Sequence, residues 1–545
     1  FSAGAGMSSG NEPVWACFPW ILEATFPVSI LLPFVLFSHL KTRRYREDLG
    51  FADARWRFPK AALGAGLLVL TLVKAKQPTY LLPLFPMLAI LIAAWCERAG
   101  AALRPLASRC AGGAPREKKG LPMLEKSAAG LLIISVTATF LMSFPSRPCR
   151  AGTLHVAPGG SDSWSGRLKE PSGAKDDGPL ATLGGARNAI RRLKAAGGLR
   201  EPVRVAVQGG TYRVTEPFLL EPLDSGTKES PITYAAEPGA RVVVSGGRPI
   251  TGWKKQGDLW VADVPEAKSG TWTFGALWVN GERRRRARTP NDGWFFTQGK
   301  DPSRDRTAFR FKPGDIRKWE GLEDACAVVY HSWETSIHRV AVVEESSSTV
   351  VFTGPAAWPF ENWGPRQRYH VENIPEALDA PGEWYLDRRS GILSYLPLGD
   401  EDLGRAEVIA PVAPQLVVLA GDPAQGRFVE HVSFEGLRFF HSDWTLPPQG
   451  HSDGQAAFTI PGAVQAVGAR HCAFERCEVG HVATYGIWLR AGCQENRIDA
   501  CEVHDLGAGG VRIGEGGNPK SDAEAAGRNA VDNCFIHDGG KVFSG

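Results

Sequence analysis

Hydrophobic positions divide the chain into two parts at about residue 150. Every long apolar run lies before that point, at residues 18–37, 61–73, 80–95 and 128–144. Apolar runs of this kind are typical of helices that cross a lipid bilayer, although the second and third are short and need flanking residues that reach the interface or a locally thinned bilayer. We therefore predict a membrane region of about four transmembrane helices within residues 1–150.

Basic residues in the connecting loops predict the orientation of these helices. Residues 41–60 and residues 97–127 each contain seven Lys and Arg residues, whereas residues 74–80 contain two. Because cytoplasmic loops keep the positive excess, both rich loops are expected inside and the rest of the chain on the periplasmic or extracellular side. Residues 123–151 also resemble a signal peptide, which predicts the same compartment. The lipid bilayer is the expected partner of this front part.

From about residue 153 the pattern changes to short strand-like runs separated by Gly, Pro, Asn and Asp. Alternating apolar positions at residues 203–214 and 231–247 predict strands. Residues 181–197 instead show helical spacing, with basic residues opposite the apolar ones, which predicts an amphipathic helix that caps an open sheet end.

An internal repeat near the C-terminus carries the main fold prediction. Four segments that begin at residues 433, 473, 497 and 530 share one pattern of apolar and acidic positions. A second run also recurs after 24 residues, as Ile487–Leu489 and Val511–Ile513. Two strands with one period predict an all-β parallel solenoid, in which each coil of the chain is stabilised by its neighbours.

Alternation along the repeated strands assigns side chains to the two faces of the solenoid. Cys477, Cys501 and Cys534 fall on one inward ladder, where small buried hydrophobic groups are expected rather than disulfides or metal ligands. The outward positions carry polar and aromatic groups that suit a long polar polymer: His481, His504, Asp505, His537 and Asp538 on or just beyond one strand, and Trp488 and Arg512 on the other.

Several segments in a fixed order carry a family resemblance, among them LHVAPGGSDSWSG, VNGERRRRARTPN, PGEWYLDRRSGILSYLP and CEVHDLGAGGVRIGEG. In these segments the body resembles glycoside hydrolase family 141 and its right-handed parallel β-helix relatives in the pectate-lyase-like superfamily. The resemblance implies an inserted β-rich domain at residues 260–397, between a cap with the first coils at 153–259 and later coils at 398–545. It also implies that further coils follow where this chain stops.

Glycoside hydrolysis uses two carboxylates, and the repeat offers Asp505 and Asp538 at equivalent places on successive coils. Stacked about 5 Å apart, the two groups would repel each other, which would raise one pKa and create an acid beside a base. The alternative is that each Asp only stabilises a turn. The groups predicted to bind the sugar are His481, His504, His537, Trp488, Arg512 and Glu515, and Glu515 is also a third candidate carboxylate.

Composition and charge exclude several other functions. The chain has 62 Lys and Arg against 58 Asp and Glu, a net charge of +4, so no nucleic-acid partner is expected. The ten cysteines include no CxxC and no Cys/His pair at zinc spacing, so we expect no metal and no cofactor. The basic run at residues 283–286, with Arg288, is expected to be a solvated strand edge, with an acidic-substrate site as the alternative.

The favoured function is an exported, membrane-tethered glycoside hydrolase that acts on a polysaccharide. One alternative is a polysaccharide lyase on the same scaffold, with Arg512 as its base. Another is a non-catalytic carbohydrate-binding or adhesin solenoid. Residues 70–95 also resemble the late membrane region of lipid-linked-sugar glycosyltransferases of the aminoarabinose-transferase and protein-mannosyltransferase type, although simple anchor helices are the favoured interpretation.

Overall fold

The computed structural model describes residues 152–197 and 199–544. This part is mostly β-structure, which agrees with the predicted all-β class, and its α-helices are α1 (Leu183–Ala195) and α2 (Pro265–Ser269). Short 3-10 helices lie at Pro222–Asp224, Leu322–Asp324, Pro375–Ala377 and Pro423–Gln425. Within the same two ranges, no helix combines the length and the apolar composition that a membrane crossing requires. The predicted transmembrane helices, the signal-peptide-like segment and the glycosyltransferase-like segment lie outside the described residues.

Three sheets consist of parallel strands, and the chain visits them in turn. Sheet A comprises β1 (Thr153–Val156), β2 (Val203–Val207), β5 (Ile232–Ala236), β25 (Val432–Glu435), β29 (Ala473–Glu475), β32 (Arg497–Asp499) and β35 (Ala530–Asp532). Sheet B comprises β3 (Gly210–Arg213), β6 (Val242–Ser245), β26 (Leu437–Ser442), β30 (Glu478–Val482), β33 (Glu502–Leu506) and β36 (Phe535–Ile536). Sheet C comprises β4 (Phe218–Leu220), β23 (Val417–Ala420), β27 (Gly462–Val467), β31 (Tyr485–Leu489) and β34 (Val511–Ile513). One strand from each sheet makes one coil.

The inner faces of these sheets form one continuous hydrophobic core. Register pairs such as Val479 with Val503, and Ile487 with Val511, stack equivalent residues of neighbouring coils. Helix α1 packs on this core near β1 through Leu183, Ala186, Ala189 and Ile190, as its apolar spacing predicted. The hydroxyl of Thr182 accepts a hydrogen bond from the backbone N–H of Gly185 at 2.8 Å, which stabilises the first turn of the helix.

The insertion lies between β6 of sheet B and β23 of sheet C. Its first sheet, with β22 beside β7, comprises β7 (Gly247–Pro249), β8 (Lys254–Gln256), β9 (Leu259–Asp263), β10 (Leu277–Val279), β11 (Glu282–Arg286), β20 (Glu383–Asp387), β21 (Ile392–Tyr395) and β22 (Val408–Pro411). Its second sheet comprises β12 (Arg288–Thr289), β13 (Phe295–Phe296), β14 (Gly299–Lys300), β15 (Ala308–Arg310), β16 (Cys326–Tyr330), β17 (Thr335–Glu344), β18 (Thr349–Phe352) and β19 (Arg368–Glu372). A small pair, β24 (Val429–Glu430) with β28 (Ala469–Arg470), lies at a corner of the coils.

The inward cysteine ladder occupies the positions that alternation predicts. Cys477 and Cys501 are each only 2% exposed and belong to the main core, and Cys534 is partly exposed at its side. All six cysteines in the described ranges are free thiols. The three cysteines of the ladder therefore act as small apolar side chains in the stack of coils.

The burial of Cys501 can be tested by substitution. Cys501→Asp should destabilise the fold by several kcal/mol, because the carboxylate would have no partner in the core. Cys534→Asp is the matched control and should lower the melting temperature far less, since its side chain reaches solvent. Thermal unfolding measures both variants. Rapid labelling of native Cys501 by a bulky thiol reagent would show that this register is wrong.

Candidate functional site

A cavity of about 1040 Å³ lies between sheet B and the insertion. Sheet B and the residues after its strands contribute His481, His504, Asp505, His537 and Asp538 to its wall. The insertion contributes side chains from β11, β16 and β19. The two predicted acids and the three predicted histidines thus share a single cavity.

The acids belong to a column of residues with left-handed backbone conformation. The φ angles are 65° at His441, 56° at His481, 46° at Asp505 and 52° at Asp538. Residues other than glycine seldom adopt this conformation, although His, Asp and Asn do so more readily than others. Because the strands of sheet B are parallel and in register, the four residues occupy one position on four successive coils.

Neighbouring members of this column are in contact. The rings of His441 and His481 stack with centroids 5.4 Å apart, and the backbone N–H of Leu506 donates to the carbonyl oxygen of Asp538 at 3.0 Å. Asp505 and Asp538 therefore lie on adjacent coils, as the repeat alignment predicts.

Three donors from two parts of the fold hold the carboxylate of Asp505. Arg283 Nε lies 2.6 Å from Oδ1, while Trp278 Nε1 at 2.7 Å and His481 Nδ1 at 2.9 Å both contact Oδ2. Trp278 and Arg283 are paired across β10 and β11, so the insertion presents them together. Burial alone would raise the pKa of Asp505, but the hydrogen bond from His481 and the charge and hydrogen bond of Arg283 hold it well below its usual range. Asp505 is therefore ionised.

Asp538 has a different environment. Its side chain is 60% exposed, with His537 Nδ1 2.8 Å from Oδ2 and Lys541 Nζ 3.4 Å from Oδ1. The hydrogen bond with His537, followed by the charge of Lys541, lowers the pKa of Asp538. The same hydrogen bond raises the pKa of His537. The expectation that repulsion between the two acids raises one pKa is therefore wrong, because each carboxylate has its own basic partners.

His481, His504 and His537 form a row of rings in contact, which we call the histidine row, and His504 lies at its centre. Its ring stacks on His537 with centroids 5.5 Å apart and meets the ring of His481 edge-on at 5.2 Å. His504 Nε2 lies 3.1 Å from Oε1 of Glu478 on the same face of sheet B. The row presents imidazole edges and faces to the cavity beside both carboxylates.

Three predicted sugar-binding residues lie elsewhere. Trp488, Arg512 and Glu515 belong to sheet C or follow it, and none of them lines the cavity. Trp488 does point outward on its strand but is only 4% exposed, because the guanidinium of Arg512 covers its ring at 3.7 Å and that of Arg490 at 4.2 Å. Glu515 Oε1 accepts from Arg490 Nε at 2.7 Å. The expected exposure of Trp488 is therefore wrong, because alternation shows which way a side chain points but not what covers it, whereas sugar binding by these three residues stays a prediction.

The basic run of β11 is not a solvated edge. This strand lies between β10 and β20, inside the eight-stranded sheet of the insertion. Arg283 bonds to Asp505, Arg284 Nη2 lies 2.6 Å from Oε1 of Glu401, and Arg286 Nη1 lies 2.9 Å from Oε1 of Glu372. The run looked like an edge because none of these carboxylates is close to it in sequence.

The sequence analysis did not single out three residues that shape the site. Trp278 was one of many tryptophans in the insertion, and nothing near it in sequence points to Asp505. His441 could have been found, because the repeat alignment places it in the column of His481. Asp443, buried two residues beyond His441, accepts from the N–H of Gly275 at 3.4 Å, and burial raises its pKa to about 6.

A cluster of metal-ligating side chains is not found in the part of the chain that the structure describes. No group of three His, Cys, Asp or Glu side chains there is arranged to hold an ion. The carboxylates of the cavity are held instead by arginine, tryptophan, histidine and lysine.

Comparisons with known proteins bear on the insertion and on the fold. The sequence model of one family, described as the GH141 insertion domain, matches residues 257–398. A solved structure described as "Glycoside hydrolase" has a TM-score of 0.65 and 26% sequence identity, over 72% of this chain and 74% of that chain. These two findings support a glycoside hydrolase that is similar to family 141.

Two other comparisons add nothing to this conclusion. A second solved structure, "The complex structure of XylC with xylose", covers 70% of this chain and 62% of that chain at 13% identity. Its TM-score of 0.29 is too low to carry an argument. No curated protein matches the chain.

The pairing of Arg283 with Asp505 predicts a pH-dependent loss of stability in Arg283→Gln. At neutral pH this variant should be less stable by about 3 kcal/mol, since it leaves a buried charge without its main cation. The lowered pKa of Asp505 stabilises the fold above the unfolded value of about 3.9, and this contribution is lost as the pH falls toward the folded pKa. The difference between parent and variant should therefore narrow below about pH 4.

Chemical denaturation at several pH values measures this effect. Arg310→Gln is the matched control, because Arg310 is an exposed residue of the insertion that does not line the cavity. A deficit in Arg283→Gln that stays constant down to acidic pH would contradict the assigned pairing.

Proposed function

We propose that this glycoside hydrolase cleaves a polysaccharide in the cavity between sheet B and the insertion, with Asp505 and Asp538 as its two carboxylates. One observation carries the proposal: the carboxylate of Asp505 accepts three side-chain hydrogen bonds at the cavity wall, next to a second acid on the adjacent coil. Glycosidases need such a pair, with one group to donate a proton and the other to act as base or nucleophile. The alternative role of a turn-stabilising Asp does not explain why three side chains converge on Asp505.

The environments of the two acids assign them different roles. Asp505 remains ionised, so it supplies the negative charge that stabilises the oxocarbenium-like transition state and acts as base or nucleophile. The proton for the leaving oxygen comes from the His537–Asp538 pair, in which the raised pKa of His537 keeps a proton available. Asp538 fixes that imidazole, and its exposed position leaves room for the sugar to approach.

The proposal includes a right-handed parallel β-helix as the scaffold. Three parallel sheets, visited in turn by the chain and stacked through in-register pairs, support it. In a stack of this kind equivalent residues recur about 4.8 Å apart, which places a row of similar groups along an extended glycan.

The competing functions have less support. A lyase would need a base that abstracts a proton beside a uronate, and Arg512, the base inferred from the sequence, does not line the cavity. A non-catalytic binding solenoid needs no buried, ionised carboxylate. Unsaturated products that absorb in the ultraviolet would favour the lyase, and the absence of any cleaved product would favour the binding protein.

The proposed location is outside the cytoplasm, with the body tethered to a membrane. The support comes from the apolar runs of residues 1–150 and from the basic loops at residues 41–60 and 97–127. A polysaccharide that cannot enter a cell would be accessible to the body in that position.

Conservative substitution of the two acids tests the mechanism. Asp505→Asn and Asp538→Asn should each lower hydrolysis of a cleaved polysaccharide by at least about a hundredfold, because the first removes the base or nucleophile and the second leaves His537 without the carboxylate that fixes it and raises its pKa. Melting temperatures of both variants, and turnover by Arg310→Gln, serve as controls.

In the parent, kcat/KM should fall only as the pH rises through the raised pKa of His537. Residual turnover by Asp538→Asn should fall at a lower pH, since the main cause of that raised pKa is gone.

Other outcomes would contradict these roles. Near-normal turnover in both Asn variants would remove the pair from the chemistry. An alkaline limb that does not move in Asp538→Asn would assign the proton to another group of the cavity.

A reporter fusion tests the location. An enzyme that folds only outside the cytoplasm, fused after Thr153, should be active, because an odd number of crossings should separate that residue from the inner loop at residues 97–127. A fusion within residues 97–127 is the matched control and should be inactive. Activity only in the second fusion would reverse the predicted orientation.

A further inference from the structure

The cavity carries an excess of positive charge that its own carboxylates do not neutralise. Nine Lys and Arg residues line it against five Asp and Glu residues. Five of the nine cations form ion pairs with carboxylates, including Arg283 with Asp505 and Lys541 with Asp538. The remaining four, Arg285, Arg288, Arg339 and Arg368, form no ion pair with a described carboxylate.

Three of these four arginines come from neighbouring strands of the insertion. Alternate residues of a strand share a face, so Arg285 points to the same side of β11 as Arg283, about 7 Å farther along. Arg288 follows on β12, and Arg368 begins β19, the strand that pairs with β12. Further cations thus follow Arg283, the residue that contacts Asp505, along these neighbouring strands.

These side chains are positioned but not neutralised. Arg288 Nε donates to the carbonyl oxygen of Pro290 at 2.9 Å and its Nη2 to that of Gly293 at 3.0 Å. Arg285 Nη1 donates to the carbonyl oxygen of Asn291 at 2.9 Å. Burial, followed by the charge of Arg285, lowers the pKa of the Arg288 guanidinium, and these two effects outweigh the charges of Glu372 and Glu383.

An aromatic surface lies beside the cations. Trp294 lines the same cavity and is 43% exposed, and the guanidinium carbon of Arg368 lies 4.8 Å from its ring centroid and 5.4 Å from that of Tyr330. An exposed aromatic ring with a guanidinium over one face suits a ligand that is apolar on one side and anionic on the other.

We propose that the substrate is an anionic saccharide, whose carboxylate or sulfate group binds Arg285, Arg288 and Arg368 while an adjoining sugar ring contacts Trp294. This inference rests on the proposed function and adds the chemical class of the substrate. Arginine is suited to the role because its planar fork binds carboxylate and sulfate oxygens with paired hydrogen bonds. An anion here would also neutralise charge that the protein leaves uncompensated.

Equilibrium binding to pairs of ligands, one anionic and one neutral, tests the inference. The purified chain is titrated with a panel of uronate oligosaccharides, each beside its methyl ester, which lacks the negative charge, and with sulfated oligosaccharides beside their desulfated forms. At least one anionic member should bind about tenfold or more tightly than its neutral counterpart, and the preference should weaken with added salt. Preference within the uronate pairs would assign a carboxylate, and preference within the sulfated pairs a sulfate.

Variants connect the preference to the named residues. Arg285→Gln and Arg368→Gln should each weaken binding of the preferred anionic ligand by about tenfold and leave its neutral counterpart unchanged. Arg310→Gln is the matched control and should change neither. Equal affinity within every pair, or a preference that survives both substitutions, would overturn the inference.

The binding measurement separates this inference from the proposed hydrolysis. Charge-selective binding without cleavage would refute the hydrolase and leave the anionic ligand standing. Cleavage of neutral glycans with equal affinity within every pair would refute the anionic substrate alone.

Discussion

The in-register stacking of parallel strands is the constraint on which the rest of the structure depends. Each strand of sheet B can form its hydrogen bonds only if the next strand has the same conformation at the same position. The left-handed bends at His441, His481, Asp505 and Asp538 therefore form one column. Because the bends coincide, so do the side chains that leave them, and a backbone requirement becomes a row of chemical groups.

The insertion converts this row into a site. Sheet B places Asp505 and its neighbours on a surface, where a carboxylate would be hydrated and close to its ordinary pKa. The pair Trp278 and Arg283, presented from β10 and β11, closes over Asp505 and leaves its side chain 14% exposed. The stacked coils thus supply the position of the acid, and the insertion supplies its ionisation and much of the cavity wall.

Charge connects the proposed chemistry with the proposed substrate class. The strand whose Arg283 neutralises Asp505 continues through Arg285 toward Arg288. Arg285 and Arg288 form no ion pair with a carboxylate of the described residues. One short basic run therefore serves two purposes: Arg283, Arg284 and Arg286 pair with protein carboxylates, and Arg285 and Arg288 are left for the anion of a ligand. A single run of the insertion can in this way orient a chain of sugars relative to the acids.

The sequence alone determined the repeat, the buried Cys501 and the adjacency of Asp505 and Asp538, because a coil of about 24 residues and an alternation of two are local patterns. The tertiary structure decided what those groups experience. Arg283 reaches Asp505 across 222 residues of sequence, and two arginines cover Trp488, which the pattern placed in the open. A pKa and an exposed area depend on whatever packs against a group in space, and no local pattern contains the residues of a distant insertion.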